Sequence, residues 1–464
     1  MRVAAIDQGT TSTRCLVVES GGEARQVASR RQAQFHPAPG RVEHDPEELL
    51  RHIGEVLAAA GPVEAIALAN QGESCLAWDA ESGRALSPVI VWQDARTAGE
   101  LAVLGAAAED RSKAICGLPL DAYFSASKLG WLLRNLPEVA TAQAAGRLRL
   151  GTTDAFFLDR LCGHFATDLA TASRTGLLDL ASGTWSAELC ALHGVPMACL
   201  PEIRAVDAGF GAIGGVPVRA SIVDQQAALY GHGCRHPGEA KITFGTGAFL
   251  LAVTGTDRPA AAGLLPTVAW RRQGAGTVFA LEGGVYDAGA ALEWVRRLGL
   301  YDRPEELDGF DGPSALSRGL VFVPALSGLA APYWDRTAAP LFLGMDATTG
   351  RRDLVQATLE GIALLTVRLI EAAAEQIGDI RAISIDGGLS QSTYFARFLA
   401  AASGRGVRVP AMHEMTSLGL AELCGAEVAQ LRAAGSSFAP DGSVTPADHA
   451  RFAAAVARSG GWRG

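Results

Sequence analysis

Short apolar runs broken by glycine-rich turns open each half of the chain. Val3 to Ile6 is apolar, Asp7-Gln8-Gly9-Thr10-Thr11 is polar, and Cys15 to Val18 is apolar again. The same order returns at Ile242 to Phe244, Gly245-Thr246-Gly247 and Ala248 to Val253. Apolar runs this short, bounded by glycine turns, predict two β-hairpins. Their recurrence predicts a duplicated domain.

Between the hairpins, Val63 to Ala69, Ala77 to Trp78 and Val89 to Trp92 read as strands. Pro46 to Ala60 and Ser125 to Asn135 carry apolar residues at helical spacing. Further on, Val355, Leu359, Ile362, Ala363, Thr366 and Ile370 fall on one helical face, and Ala382 to Ile385 predicts a buried strand ending at Asp386-Gly387-Gly388. Both halves therefore read as α/β. The glycine-rich stretch Gly209 to Pro217 precedes the second hairpin and sets an expected boundary near residue 235, giving domains 1–235 and 236–464.

Length supports the division, because 464 residues exceed what one hydrophobic core usually supports. Two large domains leave room for a deep cleft. The formal charge of −9, with Lys and Arg scattered, excludes a broad nucleic-acid-binding face, which needs clustered cations to displace counterions. The eight cysteines form no Cys-x-x-Cys pair, so neither a zinc site nor a disulfide framework is expected, and the thiols read as buried and reduced. The most apolar stretch, Gly361 to Ile370, contains Arg368 and is too short to cross a bilayer. The opening residues run straight into a strand without the apolar core of a signal peptide, so a cytoplasmic protein is expected.

In Asp7 to Arg14 the glycine can turn backbone N–H groups toward an anion, the hydroxyls of Thr11 and Ser12 add donors, and Arg14 can neutralise phosphate. Asp7 would hold Mg²⁺, through water. An ordinary Gly/Thr hairpin turn fits those residues equally well. Gly245-Thr246-Gly247 repeats the design, so a phosphate chain could be gripped from both sides, yet alone it reads as a plain turn. Asp386-Gly387-Gly388 is equally weak alone. The ordered set carries the weight.

That set resembles the FGGY carbohydrate kinase family, in particular its glycerol-phosphorylating members. The likeness covers nearly the whole chain and includes Asp7 to Arg14, Asn70-Gln71-Gly72-Glu73, Val91-Trp92-Gln93, Asp121 to Lys128, Asp224-Gln225-Gln226-Ala227-Ala228, Phe244 to Gly247, Gly328 to Asp335, Ala357 to Gly361 and Asp386 to Gly388. The resemblance implies two actin-like (ribonuclease H-like) domains with ATP against the second and an acceptor alcohol deep in the cleft. It makes Asp224 the base that takes the alcohol's proton, with a share in binding Mg²⁺. Asp224 before Gln-Gln-Ala-Ala-Leu also reads as a good N-cap, a role compatible with that of base, and a helix dipole there would keep it ionised at neutral pH.

The resemblance also implies that Thr11, Arg14, Thr246, Gly289, Glu293 and Gly388 line the nucleotide pocket, with Ser392 near the adenine. Glu293 and Ser392 stand where an amide and an Asn are usual. For the acceptor, Glu73, Trp92, Tyr123, Asp224, Gln225 and Phe249 match positions that surround glycerol. Without the resemblance the three aromatics would read as core. Lys128 and the Trp334-Asp335 pair read as surface or packing residues. His232 and His236 read as surface or capping residues. Gly72 replaces an Arg usual before the glutamate, which removes a multidentate donor and empties space for a longer polyol. The leading expectation is phosphoryl transfer from MgATP to a small polyol. The rivals are a ketose or pentitol kinase and a non-catalytic ATP-binding sensor. A homo-oligomer, dimer or tetramer, follows by analogy alone.

Overall fold

The computed structural model describes residues 1–19 and 21–464. Two sheets dominate it. The first, of six strands, runs in the order Ala212–Ile213, Val216–Val223, Ala65–Asn70, Val3–Gln8, Ser12–Val18 and Ala24–Arg31. The second, of seven strands, runs Leu265–Arg271, Thr277–Val285, Ala248–Gly255, Glu239–Phe244, Ala382–Gly387, Val407–Pro410 and Gly435–Phe438.

The two sheets share a nucleus. In the first, Val3–Gln8 pairs antiparallel with Ser12–Val18 and parallel with Ala65–Asn70, bringing Gln8 opposite Asn70. In the second, Glu239–Phe244 pairs antiparallel with Ala248–Gly255 and parallel with Ala382–Gly387, bringing Phe244 opposite Gly387. Strands such as Val3 to Ile6 are apolar on both faces because layers cover both sides of the sheet. Strand Val89 to Trp92 is shorter than its apolar run, ending at Ile90, because Trp92 N turns to Ser74 Oγ (3.1 Å) and leaves the ladder.

Helix Pro46–Ala60 begins where the Asp45 carboxylate accepts from Glu47 N, with Pro46 in the first turn, and buries Leu49, Ile53 and Val56. The long helix Arg351–Ile377 buries almost every residue from Val355 to Ile370. Its apolar stripe is wide because it lies between the second sheet and the strand Val321–Val323.

The halves meet at two crossed helices, Asp224–Gly231 and Met415–Leu423. A Cβ on Gly231 would lie 2.0 Å from Met415 O, and one on Gly419 2.0 Å from Ala227 O, so bare glycine backbones set how closely the helices approach. The eight cysteines are unpaired, and all but the half-buried Cys162 are buried. Among the described residues no helix is long and apolar enough to cross a membrane.

Candidate active site

Strand Val216–Val223 runs parallel to Ala65–Asn70 with Val223 opposite Asn70, so the next residue, Asp224, emerges at the strand ends. Asp224 is the first residue of its helix and its Oδ1 accepts from Gln225 N at 2.7 Å. Its carboxylate faces a cavity of about 130 Å³ lined by Thr10, Gln71, Glu73, Trp92, Tyr123, Arg174, Val223, Gln225, Gln226, Phe249 and Glu282. All six residues expected around an acceptor thus meet at one cavity. Trp92, Tyr123, Phe249 and Glu282 also wall a second, adjoining chamber of about 410 Å³.

The aromatic walls are held in place. Trp92 Nε1 donates to Thr10 Oγ1 at 2.9 Å, and the rings of Trp92 and Tyr123 meet edge to face with centroids 5.5 Å apart. Lys128 is fully buried and donates to the carbonyls of Val91 (3.0 Å), Trp92 (3.2 Å) and Tyr123 (3.0 Å). It is therefore no surface residue: one ammonium clamps the backbone beneath both rings. Trp334 does sit at the surface, 44% exposed, on the rim of the larger chamber.

Burial raises Asp224 from the ordinary 3.8 to about 8, with Asp7 and Glu73 adding to the rise and Lys241 opposing it. The helix dipole does not keep this carboxyl ionised at neutral pH, since desolvation outweighs it. Asp7 is likewise raised by burial, to about 6, against the pull of Arg14. Burial lowers the Lys241 ammonium, against Asp386, Asp224 and Glu282. Lys241 Nζ bonds Gln225 Oε1 and Thr243 Oγ1, the latter at 2.9 Å.

The first turn is closed by Gly9 N donating to Ser12 O at 3.1 Å, and the second by Gly245 N donating to Gly247 O at 2.9 Å. The N–H groups of Gly9 and Gly245 are thus spent inside the turns. The N–H groups of Thr10, Thr11, Thr246 and Gly247 have no acceptor among the described residues. Thr11 and Thr246 are exposed. Arg14 donates to Ser12 Oγ (3.0 Å) and reaches across the halves to the Glu414 carboxylate (3.1 Å). Gly289 packs against the second turn, where its own Cβ would fall 2.5 Å from Gly245 O, whereas Gly388 is open.

Ser392 caps helix Thr393–Ser403: its hydroxyl accepts from Phe395 N (3.0 Å) and contacts Leu307 O (2.9 Å) and Asp308 Oδ1 (3.2 Å). Glu293 is exposed and paired with Arg296 at 2.8 Å. Neither side chain joins the residues that converge on the turns.

Oδ1 of Asp7 is buried without a partner, and the Asp7 charge disfavours the ionised form of Asp224. Two hard carboxylates, one with an unsatisfied oxygen, suit a divalent cation such as Mg²⁺. Asp386, beyond the second turn, is pushed up by burial but held below its ordinary value by His232 and Lys241. His232 is buried, with Nε2 3.0 Å from Asp386 Oδ2 and Nδ1 2.7 Å from Ser384 Oγ, so it belongs to the interior and not to the surface. Arg174, Glu282 and Lys241 were not picked out by sequence reasoning. Glu282 is a lone charge inside a largely apolar strand, and that break in pattern was its signal.

Two duplicated α/β halves, a helix crossing between them and paired Gly-Thr turns facing a buried carboxylate define a two-lobed kinase of the actin-like class. The model of the FGGY family of carbohydrate kinases, N-terminal domain, matches residues 2–231, and that of its C-terminal domain matches residues 240–428. The chain belongs to the FGGY family of carbohydrate kinases. It is 42% identical to the glycerol kinase of Thermus brockianus over 90% of this chain and 88% of that one. The glycerol kinase of Symbiobacterium thermophilum is 38% identical over 99% and 98%. Among solved structures, a Plasmodium falciparum glycerol kinase with ADP superposes with a TM-score of 0.91 at 29% identity, covering 99% of this chain and 98% of that one.

Proposed function

We propose that this protein transfers the γ-phosphoryl group of ATP to a terminal hydroxyl of glycerol or a related small polyol. The observation that carries this reading is the Asp224 carboxylate, set in a cavity whose other polar walls can bind hydroxyls and whose rings can cover a carbon chain. The relatives at about 40% identity support the choice of glycerol.

An alcohol in the cavity donates its proton to Asp224 as its oxygen bonds to phosphorus and the β–γ bridging bond breaks toward ADP. Glu73 and Gln225 orient the remaining hydroxyls, and Trp92 and Phe249 keep bulk water from the reacting oxygen. Thr10, Thr11, Thr246 and Gly247 present their free N–H groups to the phosphates from both halves, with Arg14 released from Glu414 to neutralise charge. Asp7 and Asp224 would hold Mg²⁺, which supplies neutralisation of the phosphate oxygens when bound. The adjoining 410 Å³ chamber favours a second reading, a longer sugar or pentitol whose tail crosses between Trp92 and Phe249.

The test is Asp224→Asn, assayed for ADP release across a panel of polyols and ketoses. Loss of a general base is expected to cut kcat by about 10²- to 10⁴-fold with ATP affinity retained. The folded state holds the Asp224 proton between pH 3.8 and about 8, so stability falls as pH rises through that window. Asn should therefore raise the Tm measured above pH 8. Near-normal turnover in the variant would overturn the assignment.

A further inference from the structure

Within the acceptor cavity Arg174 is the one cation among the described lining residues. Its side chain is 3% exposed. Nε donates to Glu73 Oε1 at 2.8 Å and Nη2 to Glu282 Oε1 at 3.1 Å. Nη1 lies 2.8 Å from Glu282 Oε2 without an aligned hydrogen bond, so the two carboxylates leave part of the guanidinium's five-donor capacity unspent. No other guanidinium can come from the loop before Glu73: Gly72 has φ +69°, and a Cβ there would face Val223 Cγ2 at 3.3 Å.

The two carboxylates belong to different halves. Glu73 follows strand Ala65–Asn70 of the first sheet, and Glu282 lies in strand Thr277–Val285 of the second. Arg174 sits at the C-terminal end of helix Leu169–Ser173, whose Ser173 Oγ meets Thr267 Oγ1 of the second sheet at 3.0 Å. Its guanidinium thus stands where the halves close on the acceptor.

We propose that Arg174 is a specificity-determining residue for the acceptor: its unspent N–H groups bind the acceptor's non-reacting hydroxyls, and its bridge from Glu73 to Glu282 makes that grip depend on closure of the two halves. This rests on the reading of the cavity as a polyol site. An analogue lacking one hydroxyl leaves a buried donor unmet and is rejected for that reason. The same geometry assigns Glu282 a positioning role, acting on the acceptor through the arginine.

The experiment compares wild type, Arg174→Lys and Glu282→Gln by KM for the preferred polyol, KM for ATP, and the ratio of kcat/KM for that polyol over its analogue lacking one non-reacting hydroxyl. Lysine keeps the charge but cannot span both carboxylates. In Arg174→Lys the polyol KM is expected to rise about 10- to 100-fold, the ratio to fall about tenfold, and the ATP KM to stay within about threefold. In Glu282→Gln, which preserves shape and the Glu73 contact, the polyol KM rises by less, about three- to tenfold. A polyol KM and ratio unchanged in folded Arg174→Lys, or an ATP KM that rises in step, overturns the proposal. Should that variant fail to fold, an unchanged polyol KM in Glu282→Gln overturns it. A wild type that phosphorylates no polyol overturns this reading and the choice of a polyol acceptor together, whereas an active wild type with indifferent variants overturns this one alone.

Discussion

The two Gly-Thr turns, one in each half, have matching strand pairings and different supports. In the first half, side chains brace the turn: Gln32 Nε2 donates to Gly9 O and to Thr10 O (3.1 Å), Thr13 Oγ1 donates to Gln32 Oε1 (3.1 Å), and Trp92 reaches Thr10. In the second half, backbone packs on backbone. Gly289 N donates to Gly245 O at 3.0 Å, and Gly387 lies so close to Phe244 that a Cβ would fall 2.1 Å from its carbonyl oxygen. The matching residue of the first half is Asn70, which has a side chain and accepts from Thr171 Oγ1 at 3.3 Å. A duplicated nucleus can therefore be fixed by a polar network or by the absence of side chains. The second solution tolerates far less change.

The largest effect follows at Gly387. Its φ of +88° and its contact with Phe244 both oppose any side chain. Gly387→Ala is expected to destabilise by about 3 kcal/mol or more, read from urea unfolding, because left-handed strain and overpacking add. The ATP KM should rise as well, since Phe244 leads directly into the second turn. A loss below about 1 kcal/mol would mean that the two turns are equally adaptable.

Charge separates the halves next. The first brings Asp7, Glu73 and Asp224 to the cleft, and the second brings Lys241 behind the base. In the proposed mechanism ionised Asp224 is the working form, so kcat/KM should climb with pH toward about 8. Lys241 favours that ionised form. In Lys241→Met the Asp224 carboxyl rises further, and the acid limb of kcat/KM should move about one pH unit toward alkaline values. A limb that stays in place would show that the second half leaves the base untuned.

Much of this was legible in the sequence, where Gly/Thr turns at fixed places within short apolar runs gave both hairpins. The convergence of Glu73, Trp92, Tyr123, Asp224, Gln225 and Phe249 was legible as well, because they lie in recognisable motifs and meet at one cavity. What escaped was the partner of each motif. Arg174 is 101 positions from Glu73 and 108 from Glu282, so nothing local announces that one guanidinium joins them. The protonation of Asp224 escaped for the same reason: its helix start is visible locally, whereas Asp7 and Glu73 come near only through the fold. Ser392, expected near an adenine, also caps a helix, a role that Ser before a helix ordinarily takes.

The smallest expected effect lies at Gly9, and its smallness is informative. Gly9 was expected to be needed for its freedom of backbone, but it does not occupy the left-handed region, and its nearest obstacle to a Cβ is Ser12 O at an ordinary 3.5 Å. Its N–H closes the turn onto Ser12 O, a bond that alanine can also make. Gly9→Ala should therefore change stability by no more than about 0.5 kcal/mol and leave the ATP KM within about twofold. A large loss in ATP affinity without a loss of stability would show that the phosphate chain passes within contact distance of Gly9 itself. The first turn would then resemble the second, needing a bare backbone after all, though for the ligand and not for the fold.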